Sequence, residues 1–388
     1  MQTLFIRGPP RSSLQATGIV RQFVTSVHNN RRKAVIIGGS GFVGKYVAKT
    51  LVNDSNTEVQ ICARHPNIND LKTLGNQILS PISCDITSQS DISNACKDAN
   101  IVVNLVGIMH EKPPKYTFEN VQHQGAKKIA IAARENEAQL VHISAIGADP
   151  NSNIPYAKTK GLGEIAVREE YPDAIIIRPS LIFGPEDDFF NRFAKLARYL
   201  PFMPVFGGGN TKFQPIHVWD LAKAITQAAK DRNLRGKTIE AGGPTVYTYR
   251  ELISLTLSQA GIKRPIISLP WFVGTVQGFF LEKLPVNLFT ITRDQVRLLR
   301  KDNIVSSSSD VLTLQDMGID PRPAEQILHQ YLRQRDRATS NKRTHRMVDR
   351  DTMEEMAEIE KIRKQMPKKG LELEEKYRKI QEQQVIKR

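Results

Sequence analysis

No acidic residue precedes Asp54. The first 32 residues carry Arg7, Arg11, Arg21, Arg31 and Arg32, with Ser, Thr and scattered apolar side chains between them. An acid-free, arginine-rich start can form a basic amphipathic helix drawn towards a negative compartment, and it predicts a mitochondrial transit peptide over residues 1–32. A disordered basic tail is the competing reading. Cysteine is scarce too. Cys62, Cys84 and Cys96 are the only three. Their odd number and lack of ligand spacing exclude a disulfide framework and give no metal site, so they read as small core residues. No apolar run reaches the ~18 residues of a membrane-spanning helix.

The formal net charge of +15 is spread along the chain. Five charges sit in residues 1–32. Residues 337–388, with 15 basic and 10 acidic side chains, add five more. The body between is only mildly basic. It shows no basic stripe on a folded segment, so no nucleic-acid partner is expected. With 388 residues, 40% of them hydrophobic, the chain can bury a full core and hold two domains.

Short apolar runs alternate with polar helical stretches from Lys33 onward. Strands are expected at 34–37, 59–63, 82–85, 101–106, 140–144 and 174–178, with helices at Tyr46 to Val52 and Gly125 to Ala138. Continuously apolar short strands between helices imply a parallel sheet covered on both faces. Beyond Pro179 the pattern loosens. A turn is expected at Gly207 to Asn210, a strand at Gln214 to Val218, and helices at Asp220 to Lys230 and Tyr249 to Gln259, the last capped by Thr248. The predicted fold is therefore α/β: a doubly wound parallel sheet (residues 33–180), a smaller C-terminal α/β lobe interleaved with it (181–336), and a charged helical tail (337–388). A thin stripe of Met353, Met356, Ile359, Ile362 and Met366 makes that tail either a solvated helix or a docking helix.

The run Gly38-Gly39-Ser40-Gly41-Phe42-Val43-Gly44 lies between the first strand and the first helix, the context in which a glycine motif carries meaning. Gly38 allows the tight turn. Gly41 removes a side chain where a pyrophosphate approaches. Gly44 lets helix and strand pack closely. The helix N-terminus then offers free N–H groups to phosphate. An acid near the end of the second strand would favour NAD(H). Here that strand ends at Arg64, whose guanidinium suits a ribose 2′-phosphate, so the expected cofactor is NADP(H), with NAD(H) as the alternative. Asp85 and Ile86 follow the third strand at the adenine, and Asn104, Val106 and Gly107 end the fourth beside the cofactor.

Tyr156 and Lys160 lie four residues apart, on one face of a helix. A neighbouring ammonium lowers a phenol's pKa, so Tyr156 is a candidate proton donor or acceptor, with Lys160 on the nicotinamide ribose. Ser144, ending the fifth strand, is placed to hold a substrate oxygen. These form a candidate Ser-Tyr-Lys catalytic site. The aromatic stretch from Trp271 to Leu281, followed by Lys283, reads either as core of the second lobe or as a surface lying against lipid or a hydrophobic partner.

The glycine loop, Ser144, Tyr156-x-x-x-Lys160 and Arg178-Pro179-Ser180-Leu181-Ile182-Phe183-Gly184-Pro185 together resemble the extended or atypical short-chain dehydrogenase/reductase superfamily, from about Lys33 to Gln330. More narrowly, the segments 104–107, 141–150, 183–192 and 213–220 are similar to the alpha subcomplex subunit nine family, dehydrogenase-like accessory subunits of mitochondrial complex I. This resemblance implies a tightly held, structural nucleotide, with Pro179 also at the cofactor. It implies complex I subunits as partners and a place in the matrix, on the matrix side of the inner membrane. The intact Ser144, Tyr156 and Lys160 leave open a free mitochondrial NADP-dependent reductase or epimerase, in ubiquinone or lipid metabolism. The sequence names no substrate, and the tail lies outside the resemblance.

Overall fold

A computed structural model describes residues 31–66, 77–281, 288, 290 and 292–332. All but the end of the expected transit segment, and the whole charged tail, lie outside the described residues. In chain order the first half runs β1 (Arg32–Ile37), α1 (Phe42–Leu51), β2 (Thr57–Ala63), β3 (Ile82–Ser83), α2 (Gln89–Cys96), β4 (Ile101–Asn104), a π-helical turn (Glu119–Gln124) leading into α3 (Gly125–Glu135), β5 (Gln139–Ile143), α4 (Pro155–Glu170) and β6 (Ile175–Pro179). The second half adds β7 (Ile182–Phe183), α5 (Phe189–Tyr199), β8 (Met203–Phe206), β9 (Lys212–Phe213), β10 (Ile216–His217), α6 (Val218–Lys230) and β11 (Thr238–Ala241). It closes with β12 (Tyr247–Thr248), α7 (Tyr249–Ala260), β13 (Ile266–Leu269), α8 (Trp271–Leu281), α9 (Arg293–Leu298), β14 (Leu312–Thr313) and α10 (Ala324–Leu332).

Eight strands form one parallel sheet in the order β14-β11-β6-β5-β4-β1-β2-β3. Strands with both faces covered must be apolar throughout. In β1, Ala34 and Ile36 enter one core with Val47 and Leu51 of α1 and Leu221 and Ile225 of α6. Val35 and Ile37 enter the opposite core with Ile92 of α2, Ile129 of α3 and Val167 of α4. Cys62, Cys84 and Cys96 are free and buried in that second layer. Burial pushes each thiol up to about 12, so they are unreactive packing groups.

Chain on both sides of residue 180 contributes to the sheet, since β11 pairs with β6 and β14 with β11. A third core, built from Phe183, Phe190, Met203, Tyr249, Leu252 and Leu328, holds α5, α7 and α10 together. The strand order reverses at β1: β2 lies on one side and β4 on the other. The loops leaving β1 and β4 therefore part at this point, and the crevice they open is where ligands of doubly wound sheets bind.

Several boundaries differ from the sequence expectation for local reasons. The first helix starts at Phe42, four residues early, because Gly41 itself is its N-cap. The fourth strand stops at Asn104, whose Oδ1 accepts from Val106 N at 3.0 Å and bends the chain off the ladder. The third stops at Ser83, beyond which Asp85 Oδ1 accepts from Thr87 N at 3.0 Å in an Asx turn.

Candidate dinucleotide and substrate site

Gly38 leaves β1 with φ +86°, a conformation costly for any residue with a Cβ. Its N–H donates to Cys62 O at 2.8 Å and its carbonyl accepts from Gly41 N at 3.0 Å, closing the turn. A methyl group on Gly38 would meet Val106 Cγ2 at 3.2 Å. One on Gly44 would stand 2.5 Å from Gly39 O. The loop is therefore a cradle that side chains would fill. Gly41 caps α1 without any side-chain hydrogen bond, and the first turn holds no acid. The N–H groups of that turn have no intrahelical partner, as an anion site requires. Ser40 and Val43 flank this opening, and the ring of Phe42 lies beneath Gly184, 3.2 Å from where a Cβ would stand.

The second wall follows β4. Gly107 is exposed, and a Cβ there would be 3.4 Å from Lys160 Nζ and 3.8 Å from Gln122 Oε1. Asn104 is buried and braces this wall. Because its Oδ1 is taken by Val106 N, its Nδ2 donates to His142 Nδ1 at 3.0 Å, which leaves the ring proton on His142 Nε2. That buried nitrogen has no partner among the described residues. Burial, helped by the charges of Lys160 and Arg168, holds His142 down to about 3.

Lys160 is buried on α4, and its ammonium donates to Ile143 O at 3.0 Å. Burial lowers it to about 8, with Glu164 opposing. Tyr156, one turn earlier, sets its ring edge-on to Phe118 at 6.0 Å. Burial pushes its phenol up to about 12. The spacing argument expected the ammonium to lower it; desolvation raises it instead. Ser144 is buried at the end of β5, with its N–H on Ile177 O and no hydrogen-bond partner for Oγ among the described residues. Gln122 was not anticipated. It lies in the π-helical turn, donates from Nε2 to Thr159 Oγ1 at 3.0 Å, and leaves Oε1 unpartnered beside Gly107 and Lys160. Only the π-helical insertion, invisible in the sequence, turns Gln122 inward; such insertions gather at functional sites. Pro179 is buried at the end of β6, where its carbonyl accepts from Ile146 N.

At the far end of the crevice Arg64 is exposed, with its guanidinium 4.5 Å from the centre of the Tyr116 ring. Asp85 accepts from Thr87 N and Oγ1, from Tyr116 OH at 2.8 Å, and from Lys115 Nζ at 2.8 Å. These donors hold its carboxyl well below the usual range despite partial burial. Ile86 is buried beneath it, against Gly125.

An open anion-binding helix end, a glycine cradle at the strand reversal, unpartnered Ser144 and Gln122 oxygens and an exposed guanidinium fit a dinucleotide along its whole length. Fold and site together define a dinucleotide-binding protein of the short-chain dehydrogenase/reductase class. Residues 34–242 match the NAD dependent epimerase/dehydratase family. The chain is 31% identical over 301 residues to NADH dehydrogenase (ubiquinone) 1 alpha subcomplex subunit 9, mitochondrial, of Arabidopsis thaliana, covering 74% of each chain. The same-named protein of Dictyostelium discoideum is 28% identical, covering 79% of this chain and 87% of that one. A ceramide reductase of Caulobacter vibrioides is 27% identical, covering 62% of this chain and 74% of that one. Among solved structures, a dTDP-glucose 4,6-dehydratase of Streptomyces venezuelae with NAD and TYD bound shares the fold, with TM-score 0.60 and 17% identity, covering 79% of this chain and 98% of that one. The chain thus belongs to the NAD dependent epimerase/dehydratase family and, within it, to the family of the alpha subcomplex subunit 9 proteins.

Proposed function

We propose that this protein is an accessory subunit of mitochondrial respiratory complex I that holds NADP(H) mainly as a structural element, on the matrix side of the inner membrane. Similarity to subunit 9 proteins along three quarters of the chain carries this reading. The arginine-rich start supports the location. Gly38, Ser40, Gly41, Phe42, Val43 and Gly44 would hold the pyrophosphate, with Val106, Gly107 and Pro179 along the cofactor. Arg64 would take the 2′-phosphate, and Asp85 with Ile86 the adenine. Lys160 would bind the nicotinamide ribose. A ligand bound only by the folded state stabilises it, by roughly 4 kcal/mol at a thousandfold excess over Kd. Native fractionation of mitochondria, with nucleotide extraction from the fraction holding this protein, tests the reading. Comigration with complex I and recovery of NADP(H) are expected; a protein that never comigrates would overturn it.

A second reading, an NADP-dependent reductase or epimerase of ubiquinone or lipid metabolism, is favoured by the unpartnered Ser144 Oγ and the buried Lys160, and by the similarity to a ceramide reductase. A bound nicotinamide would supply hydride transfer. Ser144 Oγ would hold the substrate oxygen, Tyr156 would pass its proton, and Lys160 would orient the ribose. On this reading Tyr156→Phe abolishes turnover while NADPH binding persists. Attachment to the membrane surface is supported by α8, where Phe272 and Val276 are 68% and 53% exposed. No helix among the described residues is long and apolar enough to cross a membrane.

A further inference from the structure

Residues 111–117 fold back across the ends of β2 and β3, outside the glycine loop. Lys112 N donates to Tyr116 O at 2.8 Å and Tyr116 N to Lys112 O at 3.1 Å. Asn120 Nδ2 donates to Lys115 O at 3.0 Å, and Phe118 N to Glu111 Oε1 at 2.6 Å, so the hairpin is fixed at its base. Tyr116 is the centre of the cluster it forms. Its hydroxyl is tied to Asp85 Oδ2, its ring carries Arg64 at 4.5 Å, and Lys115 Nζ lies 5.5 Å from the same ring centre. Lys115 also contacts Asp85 Oδ2. Arg64 has no carboxylate partner among the described residues, and its own backbone is held by Ser83 Oγ on Arg64 O at 3.1 Å. Two cations therefore face one aromatic ring, and of the two only Lys115 is paired with a carboxylate, that of Asp85. Among the described residues the cluster carries one positive charge more than it has carboxylates, with Arg64 set against the Tyr116 ring and Lys115 exposed.

We propose that Lys115 and Tyr116 complete, with Arg64, a clamp for a phosphate monoester on the adenosine ribose. The inference rests on reading the nucleotide as 2′-phosphorylated. The Tyr116 ring, 4.5 Å from the Arg64 guanidinium, restricts its freedom and so lowers the cost of presenting its fork. Lys115 supplies a second, mobile point charge. Asp85 steers Lys115 to the spot, yet keeps Thr87 N, Thr87 Oγ1 and Tyr116 OH as donors when Lys115 turns to the phosphate. A phosphate dianion between two cations is a better match than Arg64 alone, which at the surface would hold it weakly.

The test measures Kd for NADPH and NADH, by nucleotide fluorescence, on the full chain and on Lys115→Ala, Lys115→Arg, Tyr116→Leu and Arg64→Ala. Loss of one charge-assisted hydrogen bond predicts that Lys115→Ala weakens NADPH roughly tenfold and leaves NADH unchanged, with Lys115→Arg restoring the preference. Tyr116→Leu shifts the ratio the same way. In the unaltered protein 2′,5′-ADP competes better than 3′,5′-ADP, and that difference shrinks in Lys115→Ala. Lys115 is exposed, so its variants fold, which an unchanged melting curve verifies. If Arg64→Ala lowers NADPH binding selectively but Lys115→Ala moves both nucleotides equally or neither, the clamp is overturned and the 2′-phosphate reading stands. If the unaltered protein binds NADH as tightly as NADPH, that reading falls and takes the clamp with it.

Discussion

Gly44 faces backbone, so nothing there can rotate away from an added methyl group. Gly39 O would lie 2.5 Å from the new Cβ and Gly39 Cα 2.6 Å from it. Gly44→Ala should cost about 1–3 kcal/mol, as overpacking of tight sites does, and should also push α1 away from the loop proposed to hold the pyrophosphate. Gly38→Ala carries instead the left-handed backbone term of about 1–2 kcal/mol. Melting temperature with and without NADPH separates the two effects. Gly44→Ala should lose most of the nucleotide-induced shift; a variant that melts and binds as the parent does would show that the cradle is not tight. The tight turn these glycines make was legible in the sequence because a strand, three glycines at that spacing and a helix close such a turn. Tyr156 and Lys160 were legible as a pair, but not their protonation. Spacing reports that two groups are close, while burial sets the sign, and here it raises the phenol and lowers the ammonium. Gln122, Lys115 and Tyr116 left no signal. Each is placed by a π-helical turn or a returning loop that hydrophobic periodicity does not encode.

Among the elements, α7 was readable to its first turn. Thr248 accepts from Glu251 N at 3.2 Å, and Glu251 Oε2 accepts in return from Thr248 N at 2.7 Å, a complete capping box. Gly261, with φ +70°, closes the other end. Thr248→Ala should destabilise the protein by about 1 kcal/mol. Thr248→Ser should restore most of it, as read by denaturant midpoint. If Thr248→Ala shows no loss, the helix is held by its core contacts alone. Short strands were less readable. β7 and β10 have two residues each and pair with one another, so their existence depends on a partner distant in sequence. The tight approach of α4 to the π-helical turn depends likewise on Gly163, where a Cβ would stand 2.3 Å from Gln122 O. That glycine reads in the sequence as a mere flaw in a helix.

For the molecule as a whole, buried titratable groups fix how stability follows pH. His142 and His217 are both held down to about 3, chiefly by burial, with Arg322 beside His217 and Lys160 near His142. Their folded values lie below the unfolded value near 6.5. Their contribution is therefore complete above pH 6.5 and is lost as pH falls towards 3. Each costs about 1.4 kcal/mol per pH unit across that window. Asp187 opposes them. It accepts from Phe190 N at 2.7 Å and from Tyr331 OH at 2.5 Å, yet burial still pushes it up to about 6. Its folded value exceeds the unfolded 3.8, so its contribution is present below that value and is lost as pH rises through 6. Between about pH 6 and 4 two histidines act against one aspartate, and a net loss of stability on acidification should remain. Unfolding free energies from urea titrations at about pH 7, 6 and 5 measure it. His142→Gln should remove about half of the histidine slope, because the amide does not titrate. It should do so even where the substitution lowers stability at neutral pH, since the readout is the change with pH. A flat profile over that range in the parent would mean that at least one imidazole finds a proton-stabilising partner when charged. His142 would then be the residue to examine, because its buried Nε2 has no partner among the described residues and is the atom with most to gain from one.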